Sequence, residues 1–222
     1  RKWREQAAVE YALDPGVLIN NAALDALAQA HPRSQKQLER VAALNVGDPL
    51  DPETRQGAVV SQAHMEKILG CIDTAREEGG RILCGGERAR PAAGRCRDGW
   101  FVAPTVIEGL GPGCRTNQEE IFGPVLSVIR VADFDEALDV ANSTEYGLTG
   151  GLYSNDDSRI ERACREFHVG NLYINRKITG ALVGIQPFGG FNMSGSNAKA
   201  GGPDYLLQFM DAYCITENTL RR

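Results

Sequence analysis

No run of this 222-residue chain is apolar for long enough to span a bilayer; the longest fall well short of the roughly 20 residues a membrane helix needs. Residues 1–30 carry Glu5, Glu10, Asp14 and Asp25 and no apolar core segment, which predicts no secretory signal. Cysteine occurs six times, at 71, 84, 96, 114, 164 and 214, without a CxxC or other short ligand spacing, so neither a metal site nor a redox motif is predicted. A chain of this length has core enough to do without a disulfide framework, and scattered thiols fit a reducing cytosol; a cytoplasmic protein is expected. Positive charge is also short. The net charge of −5 argues against nucleic acid or an anionic membrane as a partner of the whole chain. Gly79-Gly80 and Gly85-Gly86 do not make a GxGxxG, so the dinucleotide fingerprint is missing.

What is there is ordinary for a globular protein: 42% hydrophobic and 24% charged residues, enough for one large domain or a domain with an appendage. Residues 1–43 read as helices. Trp3, Ala7 and Tyr11 repeat at helical spacing, Asp14-Pro15-Gly16 is a turn, and Asn20 or Asn21 can cap a second helix carrying Ala23, Leu24, Leu27 and Ala28. Ser34 starts a third, through Leu38, Val41 and Ala42. At Leu44 the composition changes, and Val46 to Pro52 is a turn-rich connector.

From there strands and helices alternate. A helix is predicted over 61–79 with Ile68, Leu69, Ile72 and Ala75 inward, then strands at 81–84, 100–107 and 125–131. The last is nearly all apolar, as for a strand at the centre of a sheet and covered on both faces. Asp133 and Asp156 cap helices with Phe134, Ala137, Leu138 and Ala141, and with Ile160, Ala163, Cys164 and Phe167, facing inward; strands at 150–153 and 170–174 complete the pattern. Cys71 and Cys164 therefore read as buried and inert. The fold class is α/β with a parallel sheet. Arg88, Arg90, Arg95 and Arg97 crowd one loop, either an anion patch or a solvated surface. Residues 205–210 read as a short helix, and 212–216 alternate as an exposed edge strand.

The segment from Leu172 to Gly202 is the densest in signal. It holds glycine at 180, 184, 189, 190, 195, 201 and 202, yet also Leu182, Val183, Ile185, Phe188, Phe191 and Met193, so it is expected to pack rather than act as a flexible linker. Its run Pro187-Phe188-Gly189-Gly190, followed by Ser194-Gly195, resembles the C-terminal signature of the NAD(P)-dependent aldehyde dehydrogenases. Glu119-Glu120-Ile121-Phe122-Gly123-Pro124 resembles a second signature of that family. Thr179-Gly180-Ala181 and Gly195 to Pro203 are similar to its pyrroline-5-carboxylate (glutamate γ-semialdehyde) dehydrogenase subgroup. The resemblance covers about residues 44–222. It implies that Glu120 holds the nicotinamide ribose of NAD, with Phe122 against the ring; a carboxylate can accept both ribose hydroxyls and an aromatic face suits nicotinamide. It also implies that the amides of Gly180 and Ala181 anchor the substrate carboxylate and that Phe188 lines the aldehyde pocket. Read from the residues alone, Glu120 and Phe122 could equally be a surface carboxylate and a core aromatic, and Phe188 a core side chain. The resemblance further implies a small-molecule aldehyde substrate from proline breakdown and a homo-oligomer joined through strand 212–216.

Trp3-Arg4, Asp14-Pro15-Gly16, Asn21 to Ala28 and Pro32-Arg33-Ser34 resemble the start of an HRDC domain, a helical nucleic-acid-binding module. Residues 1–43 carry six basic side chains (Arg1, Lys2, Arg4, Arg33, Lys36, Arg40) against five acidic (Glu5, Glu10, Asp14, Asp25, Glu39), a weak footprint for nucleic acid. The expected organisation is a helical segment at 1–43 and the C-terminal part of an aldehyde dehydrogenase catalytic domain at 44–222. Aldehyde oxidation in this family needs a thiolate, a general base and a dinucleotide fold upstream of the connector, and no cysteine precedes Cys71. No catalytic residue is therefore assigned, and the chain by itself is expected to be inactive. A non-catalytic assembly module and a nucleic-acid-associated protein acting through residues 1–43 stand as alternatives.

Overall fold

The computed structural model describes residues 35–91 and 94–220. The first two predicted helices lie outside those residues. Helix α1, Gln35–Ala42, puts Val41 in full burial against Val106 and Leu126. Helix α2, Gln62–Glu77, starts at Ser61, whose hydroxyl accepts the His64 N–H. Met65, Ile68, Ile72 and Ala75 form its buried stripe, with Leu69 half-buried beside it. Full burial of a side chain such as Ile68 or Ile72 contributes about 1.5–3 kcal/mol.

Strands β1 (Arg81–Cys84), β2 (Thr105–Glu108) and β3 (Val125–Val128) form one sheet in the order β1-β2-β3, with the four-residue helix α3 (Arg115–Gln118) between the last two. β1 runs antiparallel to β2, and β2 parallel to β3. Two expectations change here. The strand predicted over 100–107 is confined to 105–108; its lead-in pairs only through the Arg88–Val102 bridge, and Pro104 has no N–H to continue a ladder. The strand predicted over 125–131 ends at Val128 and lies at the edge of the described sheet, where Ser127 and Val128 are only half-buried. β2 is the central strand, and all four of its residues are buried. Glu108, buried with the rest of the strand, is paired there by Arg81 and by Arg130, which leaves the β3 ladder to reach it.

Helix α4 (Phe134–Asn142) is capped by Asp133, whose carboxylate accepts the Glu136 N–H. Strands β4 (Tyr146–Gly147) and β5 (Thr149–Leu152) follow, then helix α5 (Asp157–Glu166), capped by Asp156. Strand β6 (Asn171–Ile174) lies parallel to β5, and the short β7 (Phe191–Asn192) lies antiparallel to β4. β5, α5 and β6 thus make a βαβ unit, whose core is Phe134, Leu138, Leu152, Ala163, Phe167 and Val169. Cys164 is exposed rather than inward, because Ala163 takes the buried position and the next residue is about 100° round the helix. Cys71 is half-buried at the margin of the α2 core. The predicted helix near 205–210 is a 3-10 helix, Pro203–Phe209. Beyond it, residues 211–220 are exposed, and no described segment of this chain pairs with 212–216, the stretch expected to form an edge strand against a partner subunit. The result is a mixed α/β chain in which the described strands form three sheets: β1-β2-β3, the antiparallel pair β4-β7 and the parallel pair β5-β6.

Candidate functional site

The sequence-predicted residues fall in two patches, one leading into β3 and one following β6. In the first, Glu78 fixes the start of α3 by accepting the Arg115 N–H at 3.0 Å and the Thr116 hydroxyl at 3.4 Å. Arg115 pairs with Glu119 at 2.5 Å, which holds the Glu119 carboxyl below its usual range. Ile121 is buried, and Gly123 lies against Ile68, so the chain is pinned on both sides of Phe122. Phe122 itself has a φ of 55° and is 66% exposed. A left-handed backbone at a bulky residue costs about 1–3 kcal/mol and persists only where the surroundings enforce it. Here α2 enforces it: His64 Nε2 lies 2.7 Å from the Phe122 carbonyl oxygen, and Lys67 Nζ donates to the Glu120 carbonyl at 3.1 Å. The Glu120 carboxylate has no hydrogen bond or ion pair among the described residues. A displayed aromatic face beside an unengaged carboxylate fits a nicotinamide ring and the two hydroxyls of its ribose. Neither His64 nor Lys67 was singled out from the sequence. The available signal was a pair of polar residues three apart on the outer face of α2.

In the second patch, Asn175 ends β6 with a φ of 53°. Its side-chain amide donates to the Ser154 carbonyl at 2.8 Å and accepts the Ser154 N–H at 2.9 Å. The Arg176 guanidinium covers the Tyr173 ring at 4.9 Å. Gly180 has a φ of 78°, and the N–H groups of Gly180 and Ala181 have no acceptor among the described residues. Successive free amides in such a turn suit a carboxylate. A tight turn follows: the Ile185 and Gln186 N–H groups both donate to Leu182 O, and Leu182 N–H donates back to the Gln186 side chain. Leu182, Val183, Ile185 and Met193 are mostly exposed, against the expectation that the segment packs; its order comes from backbone hydrogen bonds instead. Phe188 is 37% exposed and is held by a two-bond antiparallel bridge to Ala200.

Two polar side chains tie this loop to β6. Asn171 Nδ2 donates to Pro187 O at 3.0 Å, and Asn171 Oδ1 accepts the Gly189 N–H at 3.3 Å. Lys199 Nζ donates to Gly189 O at 2.9 Å and also to Gly170 O. Burial pushes the Lys199 pKa down. Among the loop arginines, Arg88 lies over Trp100 and donates to Gly99 O, while Arg95 pairs with Asp48 at 2.5 Å, so both are committed within the chain. The described residues contain no His/Cys/Asp/Glu cluster fit for a metal ion, and no described helix is long and apolar enough to cross a membrane.

Comparison with known proteins bears directly on these patches. Residues 29–215 match the aldehyde dehydrogenase family, and residues 1–47 match the HRDC domain. A 1-pyrroline-5-carboxylate dehydrogenase of Geobacillus sp. (strain WCH70) is 51% identical over 174 residues, covering 78% of this chain and 32% of that protein. The chain therefore spans about a third of the length of the curated relatives it matches. Among solved structures, a 1-pyrroline-5-carboxylate dehydrogenase from Thermus with bound NAD aligns with a TM-score of 0.73 and 53% identity, over 79% of this chain and 33% of that one. An apo betaine aldehyde dehydrogenase from Staphylococcus aureus aligns with a TM-score of 0.76 and 32% identity, over 85% and 36%. The family match takes in both patches and most of the chain between and around them; this protein belongs to the aldehyde dehydrogenase family.

Proposed function

We propose that residues 44–222 form the part of an NAD-dependent glutamate γ-semialdehyde dehydrogenase that holds the nicotinamide ribose and receives the substrate carboxylate. The observation that carries the reading is the first patch: Phe122 is locked in a left-handed conformation with its ring exposed, next to a Glu120 carboxylate that no described residue engages. Glu120 would accept the ribose hydroxyls, and Phe122 would lie against the nicotinamide ring. Gly180 and Ala181 would anchor the substrate carboxylate through their amides, and Phe188 would wall the aldehyde. NAD, when bound, supplies the acceptor for the hydride leaving the aldehyde carbon. The protein residues orient both reactants, and orientation alone accounts for a large share of a rate enhancement.

The nucleophile is a separate matter. None of the six cysteines stands before the connector at 46–52, so the 222 residues on their own should form no NADH from the semialdehyde. Saturation-transfer NMR with nicotinamide riboside tests the binding assignment without needing turnover. Transfer to ribose and ring protons that drops in both Glu120→Gln and Phe122→Ala supports it. Equal transfer in the parent and both variants, or none in the parent, rejects it.

A further inference from the structure

Phe188 is held by its backbone rather than by its ring. The ring is 37% exposed, so packing does not fix it. Every backbone polar group from the Pro187 carbonyl to the Gly189 carbonyl nevertheless has a partner. Phe188 itself exchanges two bonds with Ala200, at 3.0 and 2.9 Å. Two side chains take the groups beyond it. Asn171, the first residue of β6, donates to Pro187 O and accepts the Gly189 N–H, and Lys199 donates to Gly189 O. Glycine permits the close approach: a Cβ on Gly189 would stand 2.5 Å from Ala198 O, and one on Gly202 would stand 2.9 Å from the Pro187 Cβ. Residues 187–189 are thus tied both to β6 and to 198–202. The Lys199 ammonium has three donors, and it meets three neutral acceptors: Gly170 O, Gly189 O and Asn171 Oδ1. Among the described residues no carboxylate offsets the burial of that charge. An apolar side chain could fill the same space without that cost. It could not fix the direction of the Gly189 carbonyl, and through that peptide the Phe188 ring.

We infer that Lys199 and Asn171 are positioning residues for the substrate: acting through the peptides on either side of Phe188, they hold its ring in the orientation that walls the bound aldehyde. This role rests on the reading of Gly180, Ala181 and Phe188 proposed above. Neither side chain touches the substrate. Without them residues 187–189 sample other orientations, and only the fraction with the ring in place is competent to bind. Apparent affinity falls by that fraction. A competent fraction of about 0.1–0.3 raises the apparent Kd about three- to tenfold.

The test is fluorine NMR of the 222-residue chain labelled with 4-fluorophenylalanine and titrated with L-glutamate, the carboxylate that oxidation of the semialdehyde yields. Phe188→Leu, Phe134→Leu and Phe167→Leu assign the three signals used. In the parent, Phe188 should shift saturably. Lys199→Met and Asn171→Asp should each raise the apparent Kd read at Phe188 about three- to tenfold. Phe134 and Phe167, in the core around α5, should keep their shifts in both variants, which a merely structural role would not allow. Asn171→Asp is isosteric and carries the test if Lys199→Met disturbs that core. An unchanged Kd overturns the positioning role and leaves the anchor reading standing. Lost affinity with Phe134 and Phe167 displaced in both variants overturns it too, and no shift at Phe188 in the parent overturns the role and the anchor reading together.

Discussion

Gly170 and Gly189 show what individual residues decide here. A Cβ at Gly170 would lie 1.7 Å from the Gly189 carbonyl oxygen, an impossible approach against backbone rather than a movable side chain. The contact is what lets Lys199 bridge Gly170 O and Gly189 O and lets Asn171 reach Pro187 and Gly189. Gly170→Ala should therefore cost about 3 kcal/mol, at the upper end for overpacking, and lower the melting temperature by roughly 6–12 °C for a chain of this size. Calorimetry of the variant checks it, and an unchanged melting temperature would mean the loop is not clamped to β6. The glycine density of this segment was legible in the sequence, because few residue types allow such approaches. The clamps were not. Lys199 and Asn171 are ordinary polar residues 28 apart, and only the fold brings Nζ to within 3.4 Å of Oδ1. The same holds for His64 and Lys67, whose part in fixing Phe122 depends on α2 lying beside residues 120–122.

At the scale of elements, starts were easier to read than extents. Asp133 and Asp156 each cap the helix they were expected to cap, and Ser61, where the predicted helix starts, caps α2, because an N-cap bond is local and spans only two or three residues. Strand lengths depend on partners far along the chain, which is why 100–107 and 125–131 both shortened. Hydrogen exchange should accordingly be slowest at the β2 residues Thr105–Glu108, which have neighbours on both sides, and faster in β3. Faster exchange in β2 than in β3 would contradict the strand order. The α5 cap makes a separate prediction. The Asp156 carboxyl is held below its usual range, first by the Ser158 hydroxyl and then by the Arg159 and Ser158 N–H groups. A depressed folded-state pKa contributes stability that is fully present above the unfolded carboxylate pKa of about 4 and is lost as pH falls through the folded value. Asp156→Asn keeps the cap but not the titration, so the stability gap between parent and variant should be constant near neutrality and shrink below about pH 4. Denaturant melts across that range measure it, and a gap independent of pH would remove the charge from the account.

For the whole molecule, the two family matches overlap at residues 29–47, and the described part of that overlap settles onto the sheet through Val41. Its burial there makes it part of the α/β core. The opposite end of the chain is what remains open. Leu206, Leu207, Phe209, Met210, Tyr213, Ile215 and Leu220 are all more than 60% exposed along one continuous stretch. An apolar run of that length is unusual on the surface of a monomer and signals association. Ala212, Cys214 and Thr216 alternate with Tyr213 and Ile215, a strand pattern without a strand partner in this chain. A second copy can supply one: pairing along 212–216 would satisfy backbone groups now facing solvent and cover the apolar side chains at the same time. The purified chain should therefore be a dimer or larger at micromolar concentration by light scattering. Ile215→Pro removes one ladder donor and should shift the population toward monomer while leaving the melting temperature of the sheets near its original value, since none of the three sheets includes residue 215. A monomeric parent chain would reject the association outright. An unchanged oligomer in Ile215→Pro would move the contact to the other exposed apolar turn, at Leu182, Val183 and Ile185.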